Sequence, residues 1–590
     1  MTKDSLESRS ELSEKDEAQA TVDIFPLAET DQNIMEPEPL PIAMIEETGG
    51  ETPPGERRHI VKSASLVMLG NLGSSLMGMV RQLVIASFGS NIAGPFVSAL
   101  SPAQNFNNFV INGHVNGALV PTFNDLAAPE QQQELRRLVY TMVNLILIIM
   151  IVASITFFII SHWFMQLIAP GYQKNIVLAG HSVYQLSLAI SFAQIIFFSL
   201  LALGPFAILQ GTLFARKEFG WPSVATASYH AGIILGAIAA ALIGVRAMGY
   251  LALPVGVVVG AFGELALLIR PLRRQGLRYM FILDLKHPGL RKIVKLYIPI
   301  AFSFLVATFF IFLDQRWATQ APGDGAANYS AMQFAATLIQ FPVGLVGAAL
   351  GIAVLPTLTE HTRANNNEQF KKTLLLGFRL GLLLMIPAAA GLIVLGFPIV
   401  ALIYQHGAYH HSNAVLTSIA LQNYAYQLPF VAIDQILLSA FYARKNTLIP
   451  VLVGVVSFSG YLAVALPFRN TIGMPALAFA NTVQNSLHPI ILLVLLRMAI
   501  GPLHLRELLP ATLKICAATA AMLAVAWGLQ VGLSHVALFS TGHFSGLFLT
   551  VVIVGALATA VYLGGILLLK VEEVRLLKTV IVTKLGRRQE

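Results

Sequence analysis

The 590-residue chain is 56% hydrophobic and only 12% charged, with a mean hydropathy of +0.70, where soluble domains are roughly one-quarter charged. So much apolar surface excludes a soluble globular fold and points to an all-α polytopic membrane protein. The formal charge of +8 divides unevenly: residues 1–58 carry fifteen acidic and five basic side chains, and the remainder carries 33 basic and 15 acidic.

Residues 1–58 contain acidic, proline-rich stretches such as Glu36-Pro-Glu-Pro-Leu-Pro. They cannot bury enough apolar area to offset chain ordering, so a solvated, disordered cytoplasmic tail is expected. No signal-peptide pattern opens the chain, and the first apolar run begins after Arg57-Arg58; that run is expected to direct insertion itself.

About 20 largely apolar residues are needed to cross a hydrocarbon core of about 30 Å. Runs of that kind lie near 62–88, 94–124, 138–163, 181–213, 221–243, 249–269, 293–315, 327–358, 373–402, 413–442, 448–466, 473–496, 510–531 and 546–569, giving fourteen expected spans. Basic residues of the connecting loops alternate sharply. One side holds Arg136-Arg137, Arg216-Lys217, the cluster from Arg270 to Lys295, Arg363, Lys371-Lys372, Arg444-Lys445, Arg497, Arg506, Lys514 and the tail from Lys570 to Arg588. The other side holds only Lys174, Arg246, Arg316 and Arg469. Because lysine and arginine are retained on the cytoplasmic side, the basic-rich side and both chain ends are expected in the cytoplasm. The same pattern accounts for the basic balance without a nucleic-acid partner.

Two passages recur. Gly211-Thr-Leu-Phe-Ala-Arg-Lys217 is similar to Ser439-Ala-Phe-Tyr-Ala-Arg-Lys445, and Leu119-Val-Pro-Thr-Phe123 to Val354-Leu-Pro-Thr-Leu358. They lie six spans apart, so two units of like orientation are expected, an architecture of transporters with the substrate site between the halves. The expected organisation is a six-helix lobe at 59–270, a basic linker at 271–292, a second six-helix lobe at 293–497, two added helices at 498–570 and a basic tail at 571–590.

Ionisable groups inside a bilayer are costly and mark transport pathways. Here they are Arg81, Asp314, Arg379 and Asp434, with Glu264 read as interfacial beside Arg270. Asp314 could equally pair with Arg316, and Arg379 could reach the cytoplasmic interface. In the second span Asn105, Asn108, Asn112 and Asn116 share one helical face, lining a hydrated cavity or joining neighbouring helices. No phosphate-binding loop, zinc-binding His/Glu spacing or nucleophile elbow is present, so no enzyme is expected. The lone Cys516 has no thiol partner.

Several segments resemble the MurJ (MviN) family of lipid II flippases, within the superfamily of multidrug and toxin extruders and polysaccharide exporters. They are Gly78-Met-Val-Arg81 with Ile85-Ala-Ser-Phe-Gly89, Gly117-Ala-Leu-Val-Pro121, Phe341-Pro-Val-Gly344 with Val354-Leu-Pro356, Tyr404-Gln-His-Gly407, and Ala440-Phe-Tyr-Ala-Arg444 with Thr447 and Pro450. The resemblance covers about residues 60–500. It implies fourteen spans, two six-span lobes around a cavity, and alternating access that moves a lipid-linked peptidoglycan precursor outward across a bacterial cytoplasmic membrane, with membrane lipids and cell-wall synthesis machinery as partners. It also implies substrate contacts at Arg81 and Arg379, and sodium or proton coupling at Asp314. No other cofactor is expected. Other family charges are replaced, by Ser75, Gly94, Asn107-Asn108, Asn112 and Thr337. The asparagine stripe is therefore expected to supply amide donors where relatives use guanidinium groups. Another polyprenyl-linked saccharide, a small-molecule export substrate and a transport-inactive scaffold are the alternatives.

Overall fold

The computed structural model describes residues 73–571 except 75, 179, 217, 219, 245–247, 537–538, 540–543 and most of 112–130. Side chains of 108–111, 296, 298–303 and 345–353 are also outside the description. The acidic segment 1–58, the basic tail after 571, and Asn112 and Asn116 therefore lie outside the described residues.

The described chain is a succession of helices. Before the linker come α1 (Leu76–Ala86), α2 (Ser90–Ile111), α3 (Gln132–Ile168), α4 (Gln185–Phe197), α5 (Leu200–Ala215), α6 (Gly220–Ile243) and α7 (Ala252–Arg274). After it come α8 (Pro288–Gln320), α9 (Gly325–Arg363), α10 (Asn367–Val394), α11 (Gly396–Tyr404), α12 (His411–Ala425), α13 (Leu428–Ala443), α14 (Leu448–Phe468) and α15 (Met474–Ile500). Two further helices, α16 (Leu508–Ser534) and α17 (Phe544–Leu568), follow. Residues before 271 and those at 293–497 are called the first and second halves below.

Among the described residues, nine segments are long and apolar enough to cross a membrane, with α4 and α5 counted as one. The other expected spans fall on α1, α2, α8 and α9, parts of which lie outside the described residues, and on the pair α12/α13, which is interrupted at Tyr426-Gln427. The structure also adds an element that hydropathy did not signal. Asn175–Leu178 and His181–Tyr184 form an antiparallel hairpin, with Ile176 opposite Val183. Its β-branched residues and Gly180 at φ +87° suit a two-residue turn.

Two spans are broken in mid-course. The α4/α5 interruption at Phe198-Ser199 and the α12/α13 interruption at Tyr426-Gln427 are separated by 426 − 198 = 228 residues. The Gly211 and Ser439 passages stand at the same separation, 439 − 211 = 228. The sequence repeat is therefore accompanied by a repeated break in the backbone, tolerated in a membrane where packed neighbours re-satisfy the freed peptide groups.

Close helix contact is made by small residues. On α6, Gly232 and Gly236 face Gly256 and Gly260 of α7: a Cβ on Gly232 would lie 2.2 Å from the Gly260 Cα, and one on Gly256 2.6 Å from the Gly232 carbonyl oxygen. With no hydrophobic driving force between helices in lipid, such backbone approach supplies the van der Waals contact that holds them. Gly232→Val is expected to force α6 and α7 apart and destabilise the protein by roughly 1–3 kcal/mol, read as a lowered thermal unfolding midpoint in detergent. An unchanged midpoint would contradict this packing.

Candidate functional site

The two halves meet through contacts concentrated at the basic-poor end. The Ala408 N–H donates to the Ser87 carbonyl at 2.8 Å, which joins the end of α1 to the loop of the Tyr404-Gln-His-Gly407 motif. Gly89, at φ +75°, leaves no room there, since a Cβ would sit 2.7 Å from the Ala408 carbonyl oxygen. At the start of α2, a Cβ on Gly94 would come within 2.7 Å of the Ala326 carbonyl oxygen. The resemblance places an aspartate at this position; in this conformation any side chain there is excluded by the backbone of α9.

Further along the same end, the Gln315 amide donates to the Ser98 carbonyl at 3.4 Å. Lys174 pairs with Asp324 at 2.8 Å, and Arg316 donates to the Leu167 carbonyl. Gly171 presses so closely on the Thr319 carbonyl that no side chain could replace its hydrogen. Arg316 is thus committed elsewhere, and the alternative Asp314–Arg316 pair is not formed.

Arg81 lies on α1 between the halves. Its Nη1 is 3.5 Å from the His230 Nδ1 on α6, and its electrostatic neighbours are Tyr229 of the first half and Tyr404 of the second. The Tyr229 hydroxyl is in turn hydrogen-bonded by Gln104 of α2 and lies within electrostatic reach of Glu264 on α7. Glu264 is 3% exposed, so it is a buried member of this cluster and not the interfacial residue expected from its spacing to Arg270. The Arg81 Nε is buried with no hydrogen-bond partner among the described residues. A buried, unsatisfied guanidinium donor is costly and leaves a fork of hydrogens suited to phosphate oxygens. Next to it, Gln82 donates to the Thr337 hydroxyl at 3.4 Å. Thr337 stands where the resemblance puts an arginine, so a cation there would have faced the helix that carries Arg81.

The remaining expected residues are distributed differently. Arg379 is not joined to Arg81: its guanidinium donates to the Glu507 carbonyl at 3.0 Å, with the Glu507 carboxylate at 3.9 Å. This contact ties α10 to the segment leading into α16, at the basic-rich end. The Asn105 amide donates to Ser101 of its own helix, to the carbonyl at 2.9 Å and the hydroxyl at 3.3 Å. Asn108 lies on α2, but its side chain, like Asn112 and Asn116, is outside the described residues.

Asp314 on α8 accepts from the Tyr461 hydroxyl at 2.5 Å and from the Asn481 amide at 3.2 Å, both at one carboxylate oxygen. Both neighbours present hydrogens to it where a cation cage would present lone pairs. No group of three or more His, Cys, Asp or Glu able to hold a metal occurs among the described residues. Sequence reading singled out Asp434 but missed its partner: His488 Nδ1 is 2.6 Å from the Asp434 carboxylate, and its Nε2 is 3.1 Å from the Pro450 carbonyl. A lone histidine in an apolar helix gave no signal, because the 54 residues between the pair hide their proximity.

Comparison with known proteins bears on this arrangement. A sequence model of the family described as lipid II flippase MurJ matches residues 84–550. The chain belongs to this family. A probable lipid II flippase MurJ of Bdellovibrio bacteriovorus is 22% identical over 473 residues, covering 79% of this chain and 88% of that protein. The lipid II flippase MurJ of Burkholderia cenocepacia is 24% identical over 441 residues, covering 72% and 81% respectively. Among solved structures, a lipid II flippase MurJ in an inward closed conformation is similar with a TM-score of 0.68 at 20% identity, covering 85% of this chain and 97% of its own. An inward-facing multidrug-resistance transporter of the MATE family is similar at 0.61 and 12% identity, covering 73% and 95%. The fold is thus a mostly helical membrane-transporter fold shared by both groups.

The Asp314 cluster generates a direct expectation. Tyr461→Phe removes one donor and should destabilise the protein by about 1–3 kcal/mol, since the acceptor left behind is charged. Exchanging sodium for potassium in the buffer should leave the unfolding midpoint of the parent protein unchanged. A sodium-specific rise in that midpoint would show that the cluster does take up the ion.

Proposed function

We propose that this protein flips a lipid-linked peptidoglycan precursor, lipid II, from the inner to the outer leaflet of a bacterial cytoplasmic membrane by alternating access. Family membership supports the substrate class. The observation that carries the reading is Arg81: a guanidinium with an unpartnered buried Nε, on a helix shared by two halves that meet at the basic-poor end. The positive-inside rule makes that end the outer one, with both chain ends in the cytoplasm. Fourteen spans in two six-helix lobes, followed by two added helices, account for the repeat, the matching breaks and the alternation of basic loops.

In this reading Arg81 engages the pyrophosphate of the head group as it enters from the cytoplasmic side. His230 contacts the guanidinium at Nη1, and Tyr229 and Tyr404 are its electrostatic neighbours from either half. A dianionic head group entering a low-dielectric cavity requires such a partner, since burying an unpaired charge is prohibitive. Asn105, Asn108, Asn112 and Asn116 supply amide donors to the head group. Arg379, held by Glu507, acts at the cytoplasmic edge as a first electrostatic contact for the precursor. Asp314, already surrounded by hydrogen-bond donors, is better suited to exchanging a proton than a sodium ion. Membrane lipids surround the transporter, and the cell-wall synthesis machinery consumes its product.

The scarcity of cations around Arg81 favours a second reading, in which the cargo is a different polyprenyl-linked saccharide with a smaller anionic charge. Complementation separates the two. In a bacterium depleted of its own flippase, the chain should restore growth and outer-leaflet precursor. Arg81→Ala should abolish rescue at equal membrane levels, and Asn108→Leu with Asn112→Leu should reduce it. Failure of the well-inserted parent chain to rescue would exclude lipid II as cargo; rescue that survives Arg81→Ala would remove Arg81 from the pathway.

A further inference from the structure

Between the halves, residues 275–287 run as an extended linker that is clamped to α3. The Tyr140 hydroxyl donates to the Leu277 carbonyl at 2.8 Å, and the Asn144 amide to the Ile282 carbonyl at 2.9 Å. The Tyr279 hydroxyl donates to the Asn144 Oδ1 at 2.9 Å, and Arg137 pairs with Asp284 at 2.9 Å. Exposure alternates along it: Phe281, Leu283 and Leu285 face outward, at 76%, 42% and 60%, while Ile282 and Asp284 turn inward. The apex contacts Asn144, about 18 Å along α3 from its start at the helical rise. The exposed apolar belt of α3 begins one turn further on, with Ile148, Ile149 and Val152. The linker's apolar edge therefore lies at the border of the lipid-facing surface.

On the last turns of the helix that leads into this linker, Ala266, Ile269, Arg270, Arg273 and Arg274 of α7 line one side of a shallow, open groove. Ala266 lies one helical turn before Arg270 and Ile269 one turn before Arg273, and among the described residues none of the three guanidinium groups has a hydrogen-bond or ion-pair partner. From 265 to 295 the chain carries eight basic residues and one acid, Asp284, already taken by Arg137. We infer that this groove binds an anionic phospholipid, its phosphate on Arg270, Arg273 and Arg274 and an acyl chain along Ala266 and Ile269, with the outward edge of the linker resting in the same leaflet. The charge complementarity is one-sided: three uncompensated cations at the lipid border attract an anionic headgroup by about 1 kcal/mol each. The linker ends at Pro288, the first residue of α8, whose Gly289 packs on Leu138 of α3.

The test titrates phosphatidylglycerol or phosphatidylcholine into the full chain in neutral detergent and follows the unfolding midpoint, since a ligand that binds the native state raises it. Phosphatidylglycerol should raise the midpoint and phosphatidylcholine should not. In the triple variant Arg270→Gln, Arg273→Gln, Arg274→Gln, the half-maximal phosphatidylglycerol concentration should rise about fivefold for each arginine removed. Arg273→Gln alone should give a single fivefold step, which keeps the comparison available if the triple variant does not fold. An equal response to both lipids, an unshifted titration in the variants, or equal protection by inorganic phosphate alone would overturn the assignment.

Discussion

A bilayer does not hydrogen-bond a peptide group or solvate a charge, and every unusual feature of this protein is an answer to that constraint. Regular helices satisfy their own backbones, so irregular segments are confined to places where protein covers them. The breaks at Phe198-Ser199 and Tyr426-Gln427 sit within packed helix pairs. The clamped linker finds its hydrogen-bond partners on Tyr140, Asn144 and Arg137 of α3. Charges follow the same rule: Asp314 is held by Tyr461 and Asn481, and Asp434 by His488. The Arg81 Nε is buried without a hydrogen-bond partner among the described residues, between the two halves, where an anionic cargo would supply one.

The seal between the halves rests on backbone proximity more than on side-chain pairing. Gly89, Gly94 and Gly171 each allow the opposite chain within a distance that a Cβ would forbid. One exposed ion pair, Lys174–Asp324, adds little by itself, since exposed pairs contribute at most about 1 kcal/mol. A junction of this kind closes tightly when the surfaces match and carries no large electrostatic penalty when they part. That suits a transporter whose two end states must be close in free energy.

Much of this was legible in the sequence because hydropathy and basic-residue placement are bulk properties. The helical class and the repeat offset of Gly211 and Ser439 follow from such patterns. What was not legible depends on long-range contact. Nothing local tells that Arg379 meets Glu507, that Glu264 turns inward beside Tyr229, or that His488 finds Asp434. The second strand of the hairpin, His181–Tyr184, was absorbed into the fourth apolar run, and the first, Asn175–Leu178, is too short to signal by itself. Gly94 reads as a lost charge in sequence and as a steric requirement in the fold, because its neighbour Ala326 is 232 residues away.

In the alternating-access reading, the contact between the halves at the basic-poor end is one state of a two-state transporter. Spin labels at positions 174 and 324, in a Cys516→Ser background, would report the distance across that contact by pulsed electron resonance in nanodiscs. A short-distance population should coexist with a longer one, and the balance should shift when lipid II is added. A single short distance that lipid II leaves unmoved would contradict that reading.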